Sequence, residues 1–253
     1  MAFIFDGVSS RKMHLATKYK TENRIPDLRN NTSKIAGRNG VFDFGETISE
    51  RVIEIQCYIP PRTTPEELLQ IKDDLITWLN PEKGLRKLMI DREPGRYYMA
   101  RLKSGVSIEK GIRNSGSFTL SFFCPDPYAY ASPDETGTFT TGGSFYRSLG
   151  NMVSHPLYEV RGALKNQTEY LSFLINGEEV KIHGVLGATE TFFLDTETMT
   201  AYIKKSNGIT RNALSCLDAL NFPYLDMGMN SVRIGDCTGR FDSLVITARS
   251  RWL

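Results

Sequence analysis

Two periods govern the apolar positions of this chain. One segment has the period of a helix. Thr64-Pro65-Glu66-Glu67 sets an N-cap threonine, a proline at the first helical position and a glutamate three residues after the cap. Leu68, Ile71, Leu75 and Leu79 follow at helical spacing, with Leu69, Ile76 and Trp78 widening the apolar face. Asn80-Pro81 stops the pattern, because the residue before a proline is pushed out of helical geometry. A helix over 65–79 is predicted. Around it the period is two. Ile53, Ile55, Cys57 and Ile59 alternate with Glu54, Gln56 and Tyr58, up to Pro60-Pro61. Further strands are expected at Arg86–Asp91, Arg96–Lys103, around Val106–Arg113 and at Ser117–Phe123. The first half therefore reads as an α+β domain, an antiparallel sheet or sandwich with one covering helix.

The stretch Cys124-Pro125-Asp126-Pro127-Tyr128-Ala129-Tyr130-Ala131-Ser132-Pro133 breaks the alternation, since its prolines cannot continue a central strand. A Gly/Thr/Ser-rich run, Asp134–Ser144, follows. The domains are accordingly placed at 1–133 and 134–253. The second half reads as all-β. Leu171–Ile175 and Glu178–Ile182 flank Asn176-Gly177, the strongest short hairpin signal. Glu190–Leu194 and Met199–Lys204 flank Asp195-Thr196-Glu197-Thr198, Asn207-Gly208 opens the next loop, and Ser231–Ile234 and Leu244–Arg249 close the set. Short strands with a turn about every ten residues predict a β-sandwich.

Composition narrows the function. At 253 residues and 40% apolar content the chain can bury a core in one large or two modest domains. No apolar run reaches the roughly 20 residues of a membrane helix, and Met1–Asp6 lacks a basic-then-apolar leader, so neither membrane insertion nor a signal peptide is expected. Four scattered cysteines (Cys57, Cys124, Cys216, Cys237) fit buried thiols in a reducing compartment, as expected of an intracellularly made protein. Net charge is only +2, but eight basic residues (Arg11, Lys12, Lys18, Lys20, Arg24, Arg29, Lys34, Arg38) face two acidic ones (Glu22, Asp27) between positions 11 and 38. That stretch reads as a solvated loop or edge strand, or as a surface facing an anion.

Catalytic constellations are not found, and no catalytic, cofactor-binding or metal-binding residue is assigned. Gly184-Val185-Leu186-Gly187 lacks the spacing and lysine of a phosphate loop. His14, His155 and His183 have no ligand partner at metal-site spacing. Glu178-Glu179 and Asp195 with Glu197 are the candidate carboxylate pairs, expected to sit in water at hairpin ends. Tyr97-Tyr98, Tyr128, Tyr130, Tyr146, Tyr158, Tyr202, Tyr224 and Trp252 could in principle stack on sugars, but core packing or subunit contact accounts for most of them.

The ordered set of motifs resembles the distal tail protein (Dit) family of long-tailed, non-contractile bacteriophages (siphophages) of Gram-positive hosts. The likeness is carried by Arg51-Val52-Ile53-Glu54-Ile55 with the helix ending Trp78-Leu79, by Tyr97-Tyr98-Met99-Ala100-Arg101-Leu102, by Phe118–Tyr128, and by Pro223-Tyr224-Leu225-Asp226-Met227-Gly228-Met229-Asn230. The resemblance implies a structural virion protein at the distal end of the tail, not an enzyme, and no cofactor. Its N-terminal domain would have a tail-tube-like fold and form a homo-hexameric ring; its C-terminal domain would be a galectin-like sandwich. The ring would join the major tail-tube protein to the tail-associated tip protein as a baseplate hub, and DNA would pass through it without specific binding. The near-neutral charge balance suits such a conduit, since neutralising many phosphates would trap the polyanion. The alternative is a carbohydrate-binding β-sandwich module in host-surface recognition, although 253 residues leave no room for the long sugar-binding insertion of some relatives.

Overall fold

The computed structural model describes residues 1–19, 25–105, 108–110 and 115–253. The chain divides into two compact units, Met1–Ala129 and Tyr130–Trp252.

In the first unit β1 (Phe3–Phe5), β2 (Val8–Ser9), β3 (Ala16–Tyr19), β4 (Leu28–Ser33), β5 (Phe42–Ile48) and β6 (Arg51–Ile59) precede helix α1 (Pro65–Trp78). After it come β7 (Arg86–Ile90), β8 (Arg96–Leu102), β9 (Glu109–Lys110) and β10 (Gly116–Cys124). Antiparallel pairing orders the main sheet β2-β1-β7-β8-β10-β6-β3. Its central pair is in the register the alternation demands: Phe118 lies opposite Cys57, Leu120 opposite Ile55 and Phe122 opposite Ile53. That row buries one face, and α1 covers it with Leu68, Ile71, Leu75 and Trp78. Trp78 stacks on Phe3 at 5.5 Å, and its indole N–H donates to the Phe5 carbonyl at 2.9 Å. The helix therefore folds as its periodicity predicts, with Leu79 as its C-cap. Of the strand expected around Val106–Arg113, only 108–110 are described, and Glu109–Lys110 pair with β10; the rest lies outside the described residues.

Past the short strand β11 (Ala129–Ala131), the second unit holds two antiparallel sheets. One runs β12 (Thr136–Phe139), β21 (Arg240–Thr247), β14 (Leu157–Ala163), β17 (Thr191–Asp195), β18 (Thr200–Lys204), β19 (Thr210–Asn212). The other runs β13 (Gly143–Arg147), β20 (Gly228–Ile234), β15 (Tyr170–Ile175), β16 (Glu178–His183). Their inner faces share a core that includes Tyr158, Val160, Phe173, Phe192 and Leu244, with Tyr158 and Phe173 at 5.4 Å. The Asn176-Gly177 hairpin forms as the sequence predicts, with φ of 52° and 90° at the two turn residues.

The break between units falls at 129/130, ahead of the 133/134 expected from the prolines. Residues 130–133 belong to the second unit because they are bonded there. The Tyr130 hydroxyl donates to Glu197 at 2.7 Å, and the Ala131 N–H donates to the Ser250 carbonyl at 2.9 Å. Composition marks where a strand ends, not which core holds the residues beyond it.

Candidate functional site

The motifs that carry the resemblance organise backbone. In Pro223–Asn230 the buried Asn230 amide donates to the carbonyls of Asp226 (2.9 Å) and Gly228 (3.1 Å) and accepts from the Asp226 N–H (2.9 Å). Arg147, fully buried, braces the same loop: Nε donates to the Asp226 carbonyl at 3.0 Å and Nη2 to the Met152 carbonyl at 2.7 Å. Burial lowers its pKa, and the nearby Glu135 and Asp226 charges oppose that. In Tyr97–Leu102 the alternating Tyr98 and Ala100 are buried. The Tyr98 hydroxyl donates to Glu93 at 2.7 Å, and burial, then that carboxylate, pushes its pKa up. At the junction, Arg51 Nε donates to the Pro127 carbonyl at 2.8 Å.

The candidate chemistry disperses in the same way. His14 is exposed, whereas His155 is half-buried, with its pKa lowered by burial and then by Arg251. His183 Nε2 lies 3.9 Å from Asp218. The Glu179 carboxylate accepts from the Ser172 hydroxyl, while Glu178 is exposed. Asp195 and Glu197 were expected in water; Glu197 is exposed, whereas Asp195 is half-buried and clamped by Arg249, whose Nη1 reaches Asp195 at 2.6 Å and Glu197 at 3.2 Å and whose Nη2 reaches Asp195 at 2.8 Å. These bonds outweigh the cost of burial and hold Asp195 below its ordinary pKa. A carboxylate fixed in such a clamp is a structural tie, not a proton carrier. Cys57 and Cys124 are buried, and burial pushes both thiols up to about 12.

The remaining candidate is a surface. Among the described residues, strands β4 and β5 pair only with each other. Leu28 lies opposite Ile48 and Ser33 opposite Phe42. Gly45, at φ 89°, sits where the register shifts. The bulge puts Phe42 and Phe44 on the opposite face from Leu28 and Ile48, because an extra residue on one strand reverses its alternation. Ile25, Leu28, Ile35, Val41 and Phe44 are all exposed, Phe44 by 71%. A two-stranded ribbon of this kind is marginal by itself. Of the basic stretch, Arg29, Lys34 and Arg38 ride on the ribbon and its turn, with the Arg38 guanidinium 4.0 Å over the Phe42 ring. Arg11, Lys12 and Lys18 are exposed around β3, and Lys20, Glu22 and Arg24 lie outside the described residues. Sequence alternation missed the ribbon because its apolar positions are sparse and split between two faces. Exposed apolar side chains beside positive charge, not a cleft, are what it presents.

Known proteins share this architecture. Residues 14–124 match the phage tail protein RIFT-related domain. Over 100% of this chain and 99% of the other, the fold is similar to the crystal structure of the Dit protein of phage SPP1, described as a paradigm of the hub adsorption apparatus in Gram-positive infecting phages (TM-score 0.74, 17% identity). A chain of the phage P2 baseplate in its activated conformation with Ca aligns over 91% of this chain and 89% of that one (TM-score 0.51, 11% identity). Comparison with curated protein sequences finds no match. The domain match over residues 14–124 and the shared fold agree with the resemblance drawn from the sequence motifs.

Proposed function

We propose that this chain is a distal tail hub: a structural virion protein whose N-terminal unit closes into a hexameric ring between the tail tube and the tail-tip adsorption apparatus. The β4–β5 ribbon carries the reading. It extends four exposed apolar side chains, Leu28, Ile35, Val41 and Phe44, that nothing in the described residues of its own chain covers, as a subunit whose neighbour supplies the missing surface would do. In this role the ring's partners are the major tail-tube protein on one side and the tail-associated tip protein on the other. DNA passes through without specific binding, the second unit is a galectin-like sandwich, and synthesis takes place in the host cytoplasm. The first unit, Met1–Ala129, is the ring former. The mass of the purified protein, measured across a concentration series, tests this. A discrete multimer of constant stoichiometry is expected, and a monomer at every concentration would overturn the ring.

A further inference from the structure

We propose that the ring contact is ribbon-on-helix: the tip half of the β4–β5 ribbon of one copy docks on the outward face of α1 in the next copy. This rests on the ring reading above and specifies its interface. Among the described residues of the first unit, exposed apolar side chains stand on both the ribbon and the helix. On the ribbon they are Phe44 and the turn residues Ile35 and Val41. On the helix they form the outer stripe of α1, where Leu69 and Ile76, two turns apart on one side, are 60% and 70% exposed. Beside Ile76 that stripe opens into a groove of about 360 Å³ lined by Leu75, Leu79, Pro81, Leu102 and Phe118. The groove has the apolar lining to receive an exposed aromatic ring, and Phe44 presents one.

Charge favours the same pairing. Across β4, the turn and β5 the ribbon carries Arg29, Lys34 and Arg38 against Asp43 and Glu46, a balance of +1, with two of the three basic residues in the turn. The helix exposes Glu66, Glu67, Asp73 and Asp74 around a single Lys72. Opposite charge around an apolar centre fixes register and speeds docking. Because ribbon and helix are different surfaces of one chain, the contact is heterologous, which is the geometry that propagates into a ring.

Complementation by light scattering on full-length protein decides it. F44D keeps an intact helix face and I76R keeps an intact ribbon; both positions are exposed, and L69K serves as a second helix variant. Wild type should form the multimer and each variant alone should be monomeric. An equimolar mixture of F44D and I76R should give a species of twice the monomer mass and nothing larger, since only one of the two possible contacts is whole. Wild-type assembly with I76R and L69K also assembling would overturn the helix as receptor and leave the ring standing. A mixture that stays monomeric, although both variants are folded by circular dichroism, would also overturn the pairing. A monomeric wild type would remove the ring itself.

Discussion

Gly177 shows how narrowly one residue can be specified. Its φ of 90° lies in the region that only glycine occupies freely, while a Cβ added there meets no atom within 4 Å. The penalty for a side chain is therefore backbone strain without a clash. Gly177→Val should destabilise the second unit by about 1–3 kcal/mol, read as a lower denaturant midpoint, while the multimer mass stays unchanged. An unaltered midpoint would mean the turn relaxes at no cost. His155 sets a pH dependence. Its pKa is lowered in the fold, by burial first and then by Arg251, from the ordinary 6.5. Between the folded and unfolded values the unfolded chain binds more protons, so this contribution is complete above pH 6.5 and fades as pH falls below it. Asp195 and Glu135, held below their ordinary values, add a second loss at lower pH, whereas Asp134, raised by burial, works against it. A His155→Gln variant should lose the part of the melting-temperature slope between pH 7 and pH 5 that wild type shows.

At the scale of elements, α1 illustrates how local signals suffice when their partners are near in sequence. The Thr64 hydroxyl accepts from the Glu67 N–H at 3.3 Å, and Glu67 returns a bond to the Thr63 N–H, one residue ahead of the cap. Thr64→Ala should cost about 1 kcal/mol, seen in thermal unfolding of the first unit; no shift would mean water replaces the hydroxyl fully. The β15–β16 hairpin was legible for the same reason, since its turn residues and alternation lie within one short segment. The β4–β5 ribbon was not. Its strands enclose no core, so no apolar rhythm marks them, and the basic stretch that includes Arg29, Lys34 and Arg38 reads as a solvated loop or edge strand. Strands β1 and β3 are too short to show a period and exist because β7 and β6 pair with them.

For the whole molecule, the charge distribution separates a conduit from a binder. Arg29, Lys34 and Arg38 sit on a ribbon proposed above for subunit contact, whereas Arg11 and Lys12 precede β3 and Lys18 lies in it. Duplex DNA should therefore bind weakly in filter assays at both 50 and 200 mM salt. A protein neutralising 6–10 phosphates would lose about 10³–10⁵ in affinity over that range. Tight binding with such a slope, abolished by replacing Arg29, Lys34 and Arg38 with glutamine, would reassign the ribbon. The sequence by itself determined what local chemistry can encode: the helix, the Asn-Gly hairpin, the alternation of β6 and β10, and the order of motifs that resembles the distal tail proteins. Tertiary structure decided the rest. It buried Arg147 against two backbone carbonyls, closed Arg249 on Asp195 across 54 residues of chain, carried residues 130–133 into the second unit and left the ribbon uncovered. The reason is physical. A turn or a cap is fixed by neighbours a few residues away, but whether a charge is buried or an apolar side chain exposed depends on which distant strand, or which neighbouring copy, comes to lie against it.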